Sequence, residues 1–229
     1  MNIAIILAAG KSRRLRGIDK IFYKIREKPL LFYTILAFEK NPRINKIILV
    51  VRKKDFRRFF ALIKKYKFKK IMTVTKGGKE RQGSAFNGLK TAESLGAKSG
   101  DLILFHNGAN PLISQKEISD VIRGAKKYKA ALVAQPAKDT LKKITKDGFV
   151  IETIDRKNIY SAQTPQVIEY NLAKTAFEKA FKKNFYGTDD VSLVERLGKK
   201  VKVVPCSYKN IKVTNQEDLE IIKTFLKNI

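Results

Sequence analysis

The chain has 229 residues, is 44% hydrophobic, and carries one cysteine, one histidine and a net charge of +28. That length supplies one substantial α/β core or two small ones, and the lone Cys206 and lone His106 exclude an internal disulfide, a multi-histidine metal site and any Cys/His zinc site. No apolar run nears the ~20 residues of a membrane span, and an apolar strand beginning at residue 3 leaves no room for a signal peptide, so the expectation is a cytoplasmic protein.

Residues Ile3 to Leu7 form an unbroken apolar run, the pattern of a strand buried on both faces. Small residues follow: Ala8, Ala9, Gly10 and Ser12. They let the backbone approach a ligand closely, and successive N–H groups can cradle phosphate. Arg13, Arg14, Arg16 and Lys20 then supply cations suited to phosphate oxygens. Together these features suggest a nucleoside triphosphate site, although the stretch matches neither GxGxxG nor GxxxxGK[ST]. A plain strand–loop–helix connection with surface arginines is the alternative.

Further along, Pro29 to Phe38 reads as a helix and Ile44 to Val51 as a second buried strand. Asp55 is placed to cap a basic helix reaching about Lys67. Phe68 to Val74 reads as a third strand, Ser84 to Leu95 as a helix, and Asp101 to Phe105 as a fourth strand. Ser114, with Glu117 three residues on, predicts a capping box opening a helix from Gln115 to Tyr128. Ala130 to Ala134 is a fifth strand.

This alternation predicts a Rossmann-like three-layer α/β/α fold with a mostly parallel sheet. Ligands in such sheets bind beyond the carboxyl ends of the strands. The chemistry is therefore expected in the loops after strands 1, 3 and 4, at residues 8–20, 76–84 and 106–111.

Residues 138–160 break the rhythm. They are polar, with strand-like pieces at 140–144 and 149–154 around an Asp147-Gly148 turn signal. Such a hairpin either lies on the sheet edge or projects towards a partner. Helices at 171–183 and 191–197, a strand at 201–205 and a final helix from Gln216 complete a single domain with a hairpin arm.

The charge invites a nucleic-acid reading. The lysines, however, are spread along the whole chain. Even the dense segment Phe56 to Lys70 keeps an apolar helical stripe at Phe56, Phe59, Phe60 and Ile63. Its cations read as a solvated helix face, with only nonspecific polyanion affinity.

Several stretches resemble, in order, the 2-C-methyl-D-erythritol 4-phosphate cytidylyltransferase family of the sugar-phosphate nucleotidyltransferases. They are Leu7-Ala8-Ala9-Gly10 through Arg14 with Lys20, and Gly77-Gly78-Lys79-Glu80-Arg81-Gln82-Gly83-Ser84 with Asn87-Gly88-Leu89. Lys138 to Lys142 with Asp155-Arg156, Gln163-Thr164-Pro165-Gln166, Thr188-Asp189-Asp190 and Asn210 to Thr214 complete the set.

The resemblance implies transfer of CMP from CTP to a sugar-alcohol phosphate, with Mg²⁺ or another divalent cation and release of pyrophosphate. It implies that Arg14 and Lys20 stabilise the transition state and that Arg156 and Lys212 hold the incoming phosphate. Ala8, Ala9, Gly10, Ser12, Gly78, Arg81 and Ser84 would contact CTP, and Thr188 the sugar phosphate. The arm at 138–160 would reach across a homodimer, so that Thr140 and Arg156 serve the neighbour's site.

Two loops depart from the family's pattern. Asn107 stands where the family has an aspartate and Asn110 where it has an arginine, both near the sugar phosphate or metal, so the metal ligands are left open. Ser12 replaces a glycine, and Asp19 precedes Lys20 where proline is usual. The same substrate with a retuned site, a ribitol phosphate substrate and a catalytically weakened protein are the readings of these departures, the retained Arg14, Lys20, Arg156 and Lys212 arguing against the last; a basic nucleic-acid-binding protein is the reading of another class.

Overall fold

A computed structural model describes residues 1–10 and 19–226. The apolar run at the N-terminus forms β1 (Asn2–Leu7). Its side chains alternate between two cores: Ala4 and Ile6 face one layer of helices, and Ile3 and Ile5 the other. That alternation across a pleated strand is why every residue of the run is apolar.

On one side of β1 lie β4 (Lys46–Val51) and β5 (Ile71–Lys76), and on the other β6 (Leu102–Asn107). Beyond β6 come β10 (Tyr160–Glu169), β7 (Ala130–Pro136) and the edge strand β11 (Lys202–Pro205), giving seven strands in one sheet. All neighbours are parallel except β10, which runs antiparallel to both β6 and β7. The chain leaves β1 in one direction and returns on its other side, so the strand order switches between β1 and β6. A crevice opens there at the carboxyl ends.

One face is covered by α1 (Leu30–Lys40), α2 (Phe56–Tyr66), α4 (Gln115–Tyr128) and α7 (Gln216–Leu226). The other is covered by α3 (Arg81–Ser94), α5 (Tyr170–Lys182) and the short α6 (Ser192–Glu195). This is the expected Rossmann-like α/β fold. Among the described residues no helix is long and apolar enough to cross a membrane.

The capping box at Ser114 forms as expected: its hydroxyl accepts from the Glu117 amide, while the Glu117 carboxylate accepts from the Ser114 amide. Asp55 does not cap α2. Its buried carboxylate is taken by Arg52 instead. The third strand begins later than its apolar pattern suggests, because the amides of Lys69 and Lys70 are taken by the Glu39 carboxylate.

Strand β10 has no counterpart in the expected element order, and α6 is shorter than the predicted helix at 191–197. A two-stranded sheet of β2 (Lys24–Ile25) and β3 (Lys28–Pro29) was likewise not expected.

The hairpin forms as a separate antiparallel pair, β8 (Leu141–Ile144) and β9 (Val150–Ile154). Gly148 takes a φ of +88° at its turn, a conformation glycine adopts without steric cost. The hairpin is not hydrogen-bonded to the seven-stranded sheet.

Candidate active site

The crevice at the strand ends has two compartments. The larger, about 640 Å³, is floored by Leu7, Ala8, Ala9 and Gly10 after β1 and walled by Gly77, Gly78 and Ser84 between β5 and α3. The smaller, about 470 Å³, lies over the β10 side and is lined by Gln163, Thr164, Gln166, Thr188, Asp189 and Asn210. Arg81, Asn107 and Lys212 line both.

Backbone contacts hold the larger compartment in shape. The Ala8 amide donates to the Val50 carbonyl at 2.7 Å, and the Gly77 amide to the Val51 carbonyl at 2.8 Å, so the loops after β1 and β5 are both tied to β4. A Cβ on Gly77 would meet the Ala9 Cβ at 2.4 Å, and one on Gly78 would meet the Gly83 backbone carbon at 2.6 Å. Only glycine allows that approach. The Gly78 amide itself donates to the Ser84 hydroxyl at 3.1 Å, which in turn donates to the Glu80 carbonyl.

Cations converge here. Among the described residues Lys20, Arg52, Lys53, Lys76, Lys79, Arg81 and Lys212 line the larger compartment, against the one carboxylate of Glu80. The Lys20 ammonium donates to the Val213 carbonyl at 3.0 Å, which brings it beside the segment that carries Lys212. That segment is pinned from below: the Val213 amide donates to the Ala109 carbonyl, and the buried Asn210 amide donates to the Thr164 carbonyl at 2.9 Å.

Arg81 is the charged hinge between the compartments. Its Nη1 and Nη2 hold Asp190, and its Nε points to the Asn107 Oδ1 at 3.4 Å. Burial works against the guanidinium charge, but Asp190, supported by Asp189, outweighs it and holds Arg81 above its ordinary value. Asp189 plays a separate part. Its carboxylate accepts from the Ser192 amide at the start of α6 and from the Gln166 side chain.

His106 is fully buried beneath the site, its Nε2 3.0 Å from the Asn110 carbonyl. Burial pushes its pKa down to about 4, so the ring is neutral at pH 7 and sealed from the crevice.

The structure thus brings Ala8, Ala9, Gly10, Lys20, Gly78, Arg81 and Ser84 to one compartment and Thr188 to the other, with Asn107 and Lys212 at the junction. Asn110, which the resemblance puts near the sugar phosphate, lies elsewhere. It is wholly buried, it lines neither compartment, and its amide donates to Asn210 at 3.3 Å. A neutral amide can sit in that polar pocket, whereas an unpaired cation could not. Thr140 and Arg156 lie on or beside the arm and line neither compartment, and the Arg156 guanidinium donates to the Lys138 carbonyl. Ser12 and Arg14 fall outside the described residues.

Residue patterns alone do not bring Arg52 and Lys53 to the site, where the structure places them. The available signal was the position of β4 beside β1, which carries the loop after β4 to the same crevice. Residue patterns likewise do not pair Asp190 with Arg81.

Among the described residues no group of three or more His, Cys, Asp and Glu could hold a metal. Magnesium seldom needs one, since it keeps several waters and binds through one or two carboxylates plus substrate phosphates. The Asn107 carbonyl and the Glu80 carboxylate are oxygens on the wall that suit this role, so the donor set fits a magnesium ion carried on a triphosphate.

A family model described as 2-C-methyl-D-erythritol 4-phosphate cytidylyltransferase matches residues 2–228. The chain is 44% identical to the protein of that name from Clostridioides difficile (strain 630), over 99% of this chain and 94% of the relative. It is 40% identical to the one from Caldanaerobacter subterraneus subsp. tengcongensis, over 99% and 100%. The fold is similar to the crystal structure of 4-diphosphocytidyl-2C-methyl-D-erythritol synthase from Anaerococcus prevotii DSM 20548, with TM-score 0.86, 33% identity and coverage of 99% and 98%.

Proposed function

The chain belongs to the 2-C-methyl-D-erythritol 4-phosphate cytidylyltransferase family, and from that membership we propose how its two compartments divide the reaction. The enzyme is a CTP-dependent cytidylyltransferase of isoprenoid precursor synthesis. CTP occupies the larger compartment and methylerythritol phosphate the smaller. The observation that carries this division is the junction, where Arg81, Asn107 and Lys212 face both spaces at once.

An oxygen of the acceptor phosphate attacks the α-phosphorus of CTP. The new P–O bond forms as the bond to the β-phosphate oxygen breaks, and its electron pair leaves with pyrophosphate. The attacking phosphate is already ionised at pH 7, so no general base is required, which agrees with a crevice whose nearest imidazole is buried. What remains is to hold two polyanions in line and disperse the charge that develops. Lys20 faces the triphosphate from the floor side, and Lys212 receives the acceptor phosphate at the junction. Asn107 accepts from Arg81, and Asp190 keeps that guanidinium fixed rather than free to swing onto a phosphate. Magnesium on the triphosphate, met by the Asn107 and Glu80 oxygens, would neutralise part of the charge.

The arm completes the reading. Phe149, Val150, Ile151 and Ile144 are all more than half exposed, a concentration of apolar surface that suits an interface. The protein is a homodimer in which the arm carries Thr140 and Arg156 to the neighbour's smaller compartment. The setting is cytoplasmic.

Two substitutions test the division. Lys212→Ala raises KM for the acceptor phosphate at least tenfold with KM for CTP within threefold. Lys20→Ala lowers kcat at least a hundredfold. Equal losses in both KM values for Lys212→Ala would contradict the assignment of compartments.

A further inference from the structure

Lys20 needs a fixed backbone if it is to meet a phosphate at a defined place. The residue before it is aspartate, which leaves φ unrestrained, where a proline would lock it. The structure shows what restrains it instead. The Asp19 Oδ2 accepts from Arg52 Nη2 at 2.9 Å and from Arg58 Nη1 at 3.1 Å. Both arginines also meet Asp55, Arg52 through its Nε and Arg58 at 3.6 Å, and the Asp55 side chain is only 6% exposed.

The cluster therefore alternates in sign, Asp19 and Asp55 against Arg52 and Arg58, and is anchored on a buried carboxylate. Apolar packing holds it as well. The Arg58 guanidinium lies 3.6 Å from the Phe22 ring centroid, and Phe22 meets Phe59 of α2 edge-on at 5.1 Å. The Asp19 carbonyl accepts from the Phe22 amide, which closes a turn over 19–22 with Lys20 inside it.

We propose that Asp19 is a positioning residue: an ionic latch to Arg52 and Arg58 that clamps the turn carrying Lys20 onto the loop after β4. The kinetic part of this inference rests on the reading of Lys20 as a group that meets the triphosphate; the structural part does not. The latch joins the two rims of the larger compartment, since Lys20 and Arg52 both line it. It also gives Arg52 a defined role. With Nε on Asp55 and Nη2 on Asp19, two of its nitrogens serve the loop rather than a ligand.

A residue acting only through Lys20 loses its effect once Lys20 is gone. Asp19→Asn keeps the shape and removes the charge. It should lower kcat about tenfold, with KM for CTP within twofold, because a displaced Lys20 costs transition-state contact more than binding. The double variant Asp19→Asn/Lys20→Ala should fall no more than twofold below Lys20→Ala alone. A further tenfold loss on the Lys20→Ala background, an unchanged kcat in Asp19→Asn, or a change confined to KM overturns the proposal.

A second measurement does not depend on turnover. Arg52→Gln/Arg58→Gln breaks the latch and leaves residues 17–24 unaltered. Tryptic cleavage at Lys20–Ile21, followed by mass spectrometry, should run at least five times faster than in the native chain, while cleavage after the remote Lys146 keeps its rate. Equal rates at Lys20–Ile21 contradict the latch. If the native enzyme released no pyrophosphate from CTP with any acceptor, the nucleotidyl-transfer reading would fail, and the cleavage comparison alone would decide the latch.

Discussion

Arg81 holds Asp190 through both terminal nitrogens, at 2.9 Å and 2.6 Å, and the pair stands where the two compartments of the crevice meet. Asp190 is 1% exposed, whereas the Arg81 side chain keeps about a third of its surface in water. Removing one partner of such a pair leaves the other uncompensated. Asp190→Asn should therefore destabilise the fold by about 2–3 kcal/mol, towards the low end for buried pairs because Arg81 is partly solvated. Urea unfolding of the variant measures the loss. The same change frees Arg81 to bind phosphate, so KM for CTP should shift as well.

Stability should also report the buried imidazole. A ring held near pKa 4 in the folded chain and near 6.5 in the unfolded one favours unfolding as pH drops. Above pH 6.5 both states are neutral and His106 contributes no slope. Between pH 6.5 and about 4 only the unfolded ring takes a proton, so stability falls by about 3 kcal/mol across that window. His106→Gln should remove this component of the slope, which denaturant melts at pH 7, 5.5 and 4.5 would show. Turnover above pH 6.5 should carry no titration from His106.

Two glycines five residues apart should respond in opposite ways. A Cβ on Gly78 meets backbone atoms of Gly83 and Ser84 at 2.6–2.9 Å, whereas one on Gly83 finds nothing nearer than 3.5 Å. Gly78→Ala must therefore move the loop or the start of α3, and should raise KM for CTP at least tenfold. Gly83→Ala sits inside α3 and should stabilise the fold by about 0.5–1 kcal/mol, with CTP affinity kept within threefold. Thermal melts and steady-state kinetics on the pair separate the two effects.

The exposed apolar tip of the arm gives a prediction on assembly. Phe149→Asp/Ile151→Asp should convert a dimer to a monomer in sedimentation velocity and lower turnover at least a hundredfold, because Arg156 would no longer reach a neighbour. Monomeric native protein with full activity would contradict the shared site.

Much of this architecture could be read from residue patterns, and the exceptions share a cause. The capping box at Ser114 and the turn at Gly148 are local, set by side chains within four positions, and both form as expected. The strand Tyr160–Glu169 does not show in the pattern because it begins with the exposed Tyr160, Ser161 and Ala162 and carries Pro165, and its place depends on partners far away in the chain. Asp55 offered a cap by spacing, but Arg52, three residues earlier, competes for the same carboxylate. At the site, the loops after β1 and β5 announced themselves through glycine and small residues. Asn110 is hard to place from its pattern because an amide beside a strand end reads alike whether it faces the ligand or supports the floor. Only tertiary contact with Asn210 distinguishes the two.

The decisive measurement is pyrophosphate release by the purified protein with Mg²⁺ and CTP, with methylerythritol phosphate or ribitol phosphate supplied in parallel. Release is expected with methylerythritol phosphate, abolished by Lys20→Ala, with little from ribitol phosphate. Release with ribitol phosphate alone would show that Asn107 and its neighbours select a different polyol. No release with either acceptor would contradict the assignment of the crevice to cytidylyl transfer.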